Sequence, residues 1–141
     1  MKTILVIGAG RSAATMIKYL LDNAEGQDWM VHVVDADISS AKEKVNGHKR
    51  GKCFEFDATN KENRVVKIKE ADLVISMLPA HLHLEVVKDC IENKKHIITP
   101  SYISEEVKAL DNQAKEAGIM VLNEMGLDPG IDHMSAMKVI N

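Results

Sequence analysis

The chain has 141 residues, 45% of them apolar and 28% charged, which suits one globular domain with a buried core. Its formal charge of -3 supplies no basic field for nucleic acid, and the densest basic stretch, His48-Lys49-Arg50-Gly51-Lys52, reads as a solvated turn. No apolar run approaches the roughly 18 residues that would cross a bilayer, the run before Gly8 is too short for a signal peptide, and Cys53 and Cys90 lack metal-ligand spacing, so the expectation is a cytoplasmic protein with reduced thiols and neither membrane nor nucleic-acid partners.

Short β-branched runs alternate with amphipathic stretches along the whole chain. That alternation predicts an α/β protein: a doubly wound Rossmann fold, with a mostly parallel six-stranded sheet covered by helices on both faces. Strands are expected at Thr3–Ile7, Val31–Asp35, Cys53–Phe56, Leu73–Ser76, His96–Ile98 and Met120–Asn123. Helices are expected near Ala13–Asn23, Ser40–Val45, Glu62–Ala71, Leu84–Asn93 and Glu105–Ala117.

The first strand runs directly into Gly8-Ala9-Gly10-Arg11-Ser12-Ala13, a G-x-G-x-x-A turn. Gly8 allows the tight turn, Gly10 lacks the Cβ that would block a pyrophosphate, and Ala13 lets the helix pack closely on the strand. The helix start offers free N–H groups and the positive end of its dipole to phosphates. Its position at the first strand–helix junction of a βαβ unit makes this turn a dinucleotide site.

About twenty residues on, Val31-His32-Val33-Val34-Asp35 ends the second strand in a carboxylate. A carboxylate there can accept from both hydroxyls of the adenosine ribose and repel a 2′-phosphate, and Ala36 lies beside it. Hydrogen bonds to a charged group are worth about 1.5–3 kcal/mol, so NAD is expected as cofactor in preference to NADP. Asp57, after the third strand, either reaches the adenine or opens an Asx turn. Met77 and Leu78 follow the fourth strand, on the edge where ligands sit in such sheets.

Farther along, Ser104 precedes Glu105 and Glu106 as a helix start, Val107, Leu110 and Ala114 make one apolar stripe, and Gly118 follows Ala117 as a helix end. His81 and His83, two apart, point in different directions, and no metal is expected. The methionines read as core gap-fillers. Residues 132–140 read as the start of a helix. The expected organisation is therefore a nucleotide-binding domain over 1–130, with 131–141 leading into a substrate and dimerisation domain of a longer homodimeric protein.

From Ala71 onward the chain resembles the saccharopine dehydrogenase (reductase) family. The resemblance is carried by Ala71-Asp72-Leu73-Val74-Ile75-Ser76-Met77-Leu78-Pro79, by Lys94-Lys95-His96-Ile97-Ile98-Thr99-Pro100-Ser101-Tyr102, and most specifically by Gly126-Leu127-Asp128-Pro129-Gly130-Ile131-Asp132-His133. It implies an NAD(P)-dependent oxidoreductase of lysine metabolism acting on an amino-acid C–N bond, in which an imine of glutamate and a 2-aminoadipate semialdehyde is reduced by hydride. It also implies that Gly8, Ala9, Gly10, Arg11, Ser12 and Ala13 hold the pyrophosphate, and that Met77, Leu78, Thr99 and Leu127 lie along the cofactor. Ser101 and Tyr102 would touch substrate, and Asp128 would stand beside the substrate amine. On residues alone, Asp128 can equally cap the next helix and Tyr102 can simply pack. Two departures from the family pattern stand out: Asp35 replaces the basic residue of NADP-using members, and Pro100 replaces a hydroxyl residue of some members. The rival expectations are a regulatory domain that binds NAD or an adenine nucleotide and gates a transport protein, and, more distantly, a methyltransferase.

Overall fold

The structure, a computed structural model, describes residues 2–10, 13–78, 80–99 and 109–122. Its strands are β1 (Lys2–Ile7), β2 (Trp29–Asp35), β3 (Gly51–Glu55), β4 (Leu73–Ser76), β5 (His96–Ile98) and β6 (Val121–Leu122). They form one sheet in the order β3-β2-β1-β4-β5-β6, and every pairing is parallel. Five of these are strands of three residues or more. The last is a two-residue segment beside β5, shorter than the expected Met120–Asn123: the Met120 N–H is drawn off by His96 Nδ1 at 2.9 Å, and Asn123 lies outside the described residues.

The helices are α1 (Ala14–Asp22), α2 (Ala24–Gln27), α3 (Ile38–Val45), α4 (Lys61–Glu70), α5 (Ala80–Glu92) and α6 (Asp111–Ala117). The short α2 was not expected. Three helices begin earlier than expected: α5 at Ala80 rather than Leu84, and α3 and α4, which start from caps. Asp37 accepts the Ser39 N–H at 2.9 Å ahead of α3, and Asn60 accepts the Asn63 N–H at 3.1 Å ahead of α4. Gly118, at φ +74°, closes α6. Residues 104–107, the expected start of that last helix, lie outside the described residues, and Leu110 stands in a turn before α6.

β1 shows why both faces of the sheet must be covered. Ile4 and Val6 pack into a core with Ala13, Met16, Ile17, Leu20 and Leu21 of the α1 region and with Ala41 and Val45 of α3. Leu5 and Ile7 point the other way, into a second core with Ile68 of α4 and Val86, Val87 and Cys90 of α5. Strand alternation sends neighbours to opposite faces, so an unbroken apolar run buries both. The strand order reverses between β1 and β4, and in such sheets the crevice beyond that reversal takes the ligand.

The second core contains two charges. Arg64 on α4 is 3% exposed and Asp89 on α5 is 0% exposed. The Arg64 Nε–H donates to Asp89 Oδ2, and its Nη1–H donates to the Ala58 carbonyl at 2.7 Å, so one guanidinium ties α4 to α5 and to the loop after β3. Lys61 stands 3.7 Å from the other Asp89 oxygen. Removing one partner strands the other in a medium that solvates it poorly. Asp89→Leu should therefore cost about 3–5 kcal/mol of stability, and adding Arg64→Met should restore much of it. Urea unfolding of the two single variants and the double variant measures this, and equal, additive losses would show that the pair is not coupled.

Candidate functional site

The carboxyl ends of β1, β2, β4 and β5 bring the expected cofactor residues to one edge of the sheet. Gly8 leaves β1 at φ +102°, a left-handed conformation, and its N–H donates to the Val34 carbonyl at 2.7 Å. A Cβ on Gly8 would lie 3.1 Å from both the carbonyl carbon and the oxygen of Met77, at the end of β4. Gly8 thus satisfies two constraints at once, the turn and the close approach of two strand ends. Gly10 differs: a Cβ there would meet none of the described residues within 4 Å, so among these its small size serves open space rather than packing. Ala9 and Ala13 are fully buried, and the Ala13 N–H donates to the Gly10 carbonyl at 3.0 Å.

Behind this turn starts α1, whose N-terminus has no side-chain cap among the described residues and no acidic residue in its first turn. In α3 and α4, by contrast, Asp37 and Asn60 each accept one first-turn amide. The start of α1 thus presents the positive end of its dipole toward Gly10 with no described carboxylate in its first turn to oppose an anion.

Asp35 ends β2, half-buried, with a role that its position in the sequence did not disclose. Its Oδ2 accepts the Ala9 N–H at 2.7 Å and its Oδ1 accepts the Asp37 N–H at 2.9 Å. The carboxylate therefore clasps the glycine turn to the end of β2, and each oxygen keeps a second lone pair for a ligand. A neighbour missed in the sequence is Glu55, which pairs in register with Asp35 and accepts the Ile38 N–H at 3.0 Å. Its position one strand over becomes visible only once the β2–β3 register is known. Three carboxylates, Asp35, Asp37 and Glu55, thus stand around this end of the sheet, with Ala36 exposed between the first two.

Asp57 resolves toward the turn. β3 ends at Glu55, one residue before the expected Phe56, and Asp57 beyond it is exposed. Its Oδ1 accepts the Thr59 N–H at 2.9 Å and the Thr59 hydroxyl at 2.8 Å, an Asx turn. The Thr59 backbone N–H, with the hydroxyl second, holds the Asp57 carboxyl below the usual carboxylate range.

On the other side of the reversal, Met77 and Leu78 are half-buried, and the Met77 N–H donates to the Ile7 carbonyl at 2.8 Å. Thr99 follows β5 and is fully buried. Ser76, the last residue of β4, is also fully buried, and its Oγ lies 2.8 Å from Nδ1 of His83 on α5. Desolvation pushes the His83 imidazole below its ordinary pKa. The sequence offered a signal for this pair: His83 occupies the stripe shared by Val86, Val87 and Cys90, where an apolar residue would be expected. Arg11, Ser12, Ser101, Tyr102, Leu127 and Asp128 lie outside the described residues.

Comparison with known proteins places this geometry. Residues 4–122 match the family model described as the saccharopine dehydrogenase NADP binding domain. The α-aminoadipic semialdehyde synthase of Arabidopsis thaliana is 39% identical over 98% of this chain and 15% of its own length. A saccharopine dehydrogenase [NADP(+), L-glutamate-forming] of Pyricularia oryzae is 37% identical over 99% of this chain and 30% of its own. Among solved structures, the L-Glu-forming saccharopine dehydrogenase of Saccharomyces cerevisiae superposes with a TM-score of 0.82 at 35% identity, covering 99% of this chain and 31% of that one. The chain thus spans between about a seventh and a third of these relatives. The NADP in the family description and in the fungal relative's name counts against the NAD preference expected from Asp35.

The contrast between the two glycines is measurable. Gly8→Ala should lower stability by about 1–3 kcal/mol, because it combines a left-handed backbone with a clash against Met77. Gly10→Ala should leave stability within about 0.5 kcal/mol. Thermal melts of both variants check this, and a stable Gly8→Ala protein would show that the turn can relax.

Proposed function

This chain belongs to the saccharopine dehydrogenase NADP binding domain family, and from that premise we propose that it is the cofactor-binding part of an oxidoreductase acting on a C–N bond. The substrate class would be a small amino-acid-derived imine or secondary amine, with saccharopine, or glutamate plus aminoadipate semialdehyde, as the first candidates. Family membership leaves no support for a transporter's regulatory domain or a methyltransferase. The observation that carries the proposal is the N-terminus of α1, uncapped among the described residues, behind Gly8-Ala9-Gly10 at the reversal between β1 and β4. Both cysteines are free, which supports a reducing compartment such as the cytoplasm.

The residues fit a nicotinamide dinucleotide in order along the sheet edge. The amides ahead of α1 would hold the pyrophosphate, and Asp35 would accept from the adenosine ribose. Met77, Leu78 and Thr99 would lie along the nicotinamide half, with Leu127 near it. When bound, the cofactor supplies or accepts hydride. What the chain's own residues contribute is orientation and exclusion of water around the reacting carbon. Asp128 would stabilise the positive charge of the substrate amine, while Ser101 and Tyr102 would position the substrate.

On the choice of cofactor, the family description supports NADP. The carboxylates of Asp35, Glu55 and Asp37 in this chain oppose a 2′-phosphate. We infer that NAD(H) binds here more tightly than NADP(H). Calorimetric titration with both cofactors tests the reading, alongside Asp35→Asn and Glu55→Gln. The Asp35 variant should shift the ratio toward NADP(H) by about tenfold or more, and the Glu55 variant by less. Equal or tighter NADP(H) binding by the unaltered chain would overturn it, and a ratio that neither variant moves would remove these carboxylates from the choice.

Gly10→Val tests the binding site itself. Its branched side chain enters open space, so circular dichroism should be unchanged while cofactor binding is lost; normal binding would dissociate the turn from the ligand. For Asp128, the measurement needs a longer protein that joins this domain to a substrate-binding part and turns over. There Asp128→Asn should lower kcat by about tenfold to a thousandfold with little change in cofactor KM. Full turnover would leave Asp128 as a helix cap.

A further inference from the structure

The Ser76–His83 hydrogen bond spans the junction between β4 and α5, the junction that carries Met77 and Leu78. His83 is 4% exposed and lies on the apolar stripe of α5 with Val86, Val87 and Cys90. An apolar side chain would fill that position without the desolvation that a histidine incurs, so its presence calls for a reason beyond packing. Ser76, at the end of a buried strand, is an equally unneeded polar group by packing alone. The Ser76 hydroxyl and His83 Nδ1 satisfy each other where both residues are buried, and a bond of that kind restrains both partners' rotamers.

The position of the bond gives it a consequence. Ser76 is followed by Met77, whose backbone is held on two sides. Its N–H donates to the Ile7 carbonyl at 2.8 Å, and its carbonyl lies where a Cβ on Gly8 would be in contact at 3.1 Å. A shift of the β4 end by a few tenths of an ångström would therefore be passed directly to the phosphate turn or to the Met77–Leu78 surface. The phosphate turn is fastened independently, by Asp35 to Ala9 and by Val34 to Gly8. The Met77–Leu78 side has the Ser76–His83 bond in the corresponding place.

We propose that His83 is a positioning residue: through Ser76 it holds the Met77–Leu78 segment in the conformation that receives the nicotinamide half of the cofactor. This rests on the reading of the chain as a nicotinamide-dinucleotide domain. It assigns His83 no proton transfer and no contact with substrate. The adenosine and pyrophosphate subsites are held by other bonds, so they do not depend on it.

The test compares two ligands that share the ADP-ribose part and differ in the nicotinamide. NADH and ADP-ribose are titrated calorimetrically into the 141-residue chain, or the 2′-phosphorylated pair if the chain prefers it. Variants are His83→Leu, Ser76→Ala, and His83→Asn, whose amide can restore a hydrogen bond near the Nδ1 position. His83→Leu and Ser76→Ala should weaken NADH about fivefold to thirtyfold while leaving ADP-ribose within about twofold. His83→Asn should recover part of the loss, and combining His83→Leu with Ser76→Ala should be no worse than either alone. Equal weakening of both ligands would reduce the pair to a general structural role, and unchanged binding of both would overturn the proposal outright. If His83→Leu fails to fold, Ser76→Ala alone gives the same comparison. Failure of the unaltered chain to bind ADP-ribose would instead overturn the cofactor-domain reading, and this proposal with it.

Discussion

Two strands that part company must still touch at their ends. β1 and β4 are neighbours in the sheet, yet the chain leaves them toward helices on opposite faces. At their ends, backbone meets backbone: Gly8 on one side and the Met77 carbonyl on the other, where a methyl group on Gly8 would have to push Met77 back by a few tenths of an ångström. That contact fixes how the chain leaves β1 on its way to α1. It also brings Met77 alongside the phosphate turn. Asp35, from the next strand, then fixes the turn from the opposite side. The candidate site follows from these few backbone placements, and the side chains that line it are fitted around them.

Much of this was legible in the sequence because it depends on period and on glycine. The unbroken apolar run Ile4–Ile7, then G-x-G, then the helical recurrence Ala13, Met16, Ile17, Leu20 and Leu21 describe a buried strand feeding a helix that packs on it. Val31–Asp35 and Leu73–Ser76 were equally plain, since parallel central strands are apolar on both faces. Gly118 marked a helix end by chemistry that acts within one turn of chain. Motif residues of the resemblance near the C-terminus, Asp128 among them, lie beyond what the structure describes, so the sequence alone speaks for them.

What escaped the sequence was contact across it. Asp35 looked like a ribose ligand because its place at the end of a strand was evident, whereas its bonds to Ala9 and Asp37 require the turn to fold back over β2. Glu55 acquired a role only through the β2–β3 register. Asp57 fell to the local alternative, since an Asx turn with Thr59 needs no distant partner. The buried polar groups share one lesson. Arg64, Asp89 and His83 sit at stripe positions where an apolar residue would be expected, and each pattern break marks a bond to another element. A charged or imidazole side chain on the inward face of a helix was therefore a signal, and only its partner was hidden.

The double engagement of Asp35 bears on how such a domain can change in evolution. A residue that touched only the ribose could drift freely as the available cofactor changed. If Asp35 reads the ribose as proposed, the same carboxylate also fastens the glycine turn through Ala9, and a replacement that altered cofactor choice would also loosen that loop. Natural proteins sit only slightly above the stability they need, and a lineage crossing that position would first need reinforcement elsewhere along the turn. On that reading, cofactor identity would be inherited together with the architecture of the loop, and the two would be free to diverge only in that order.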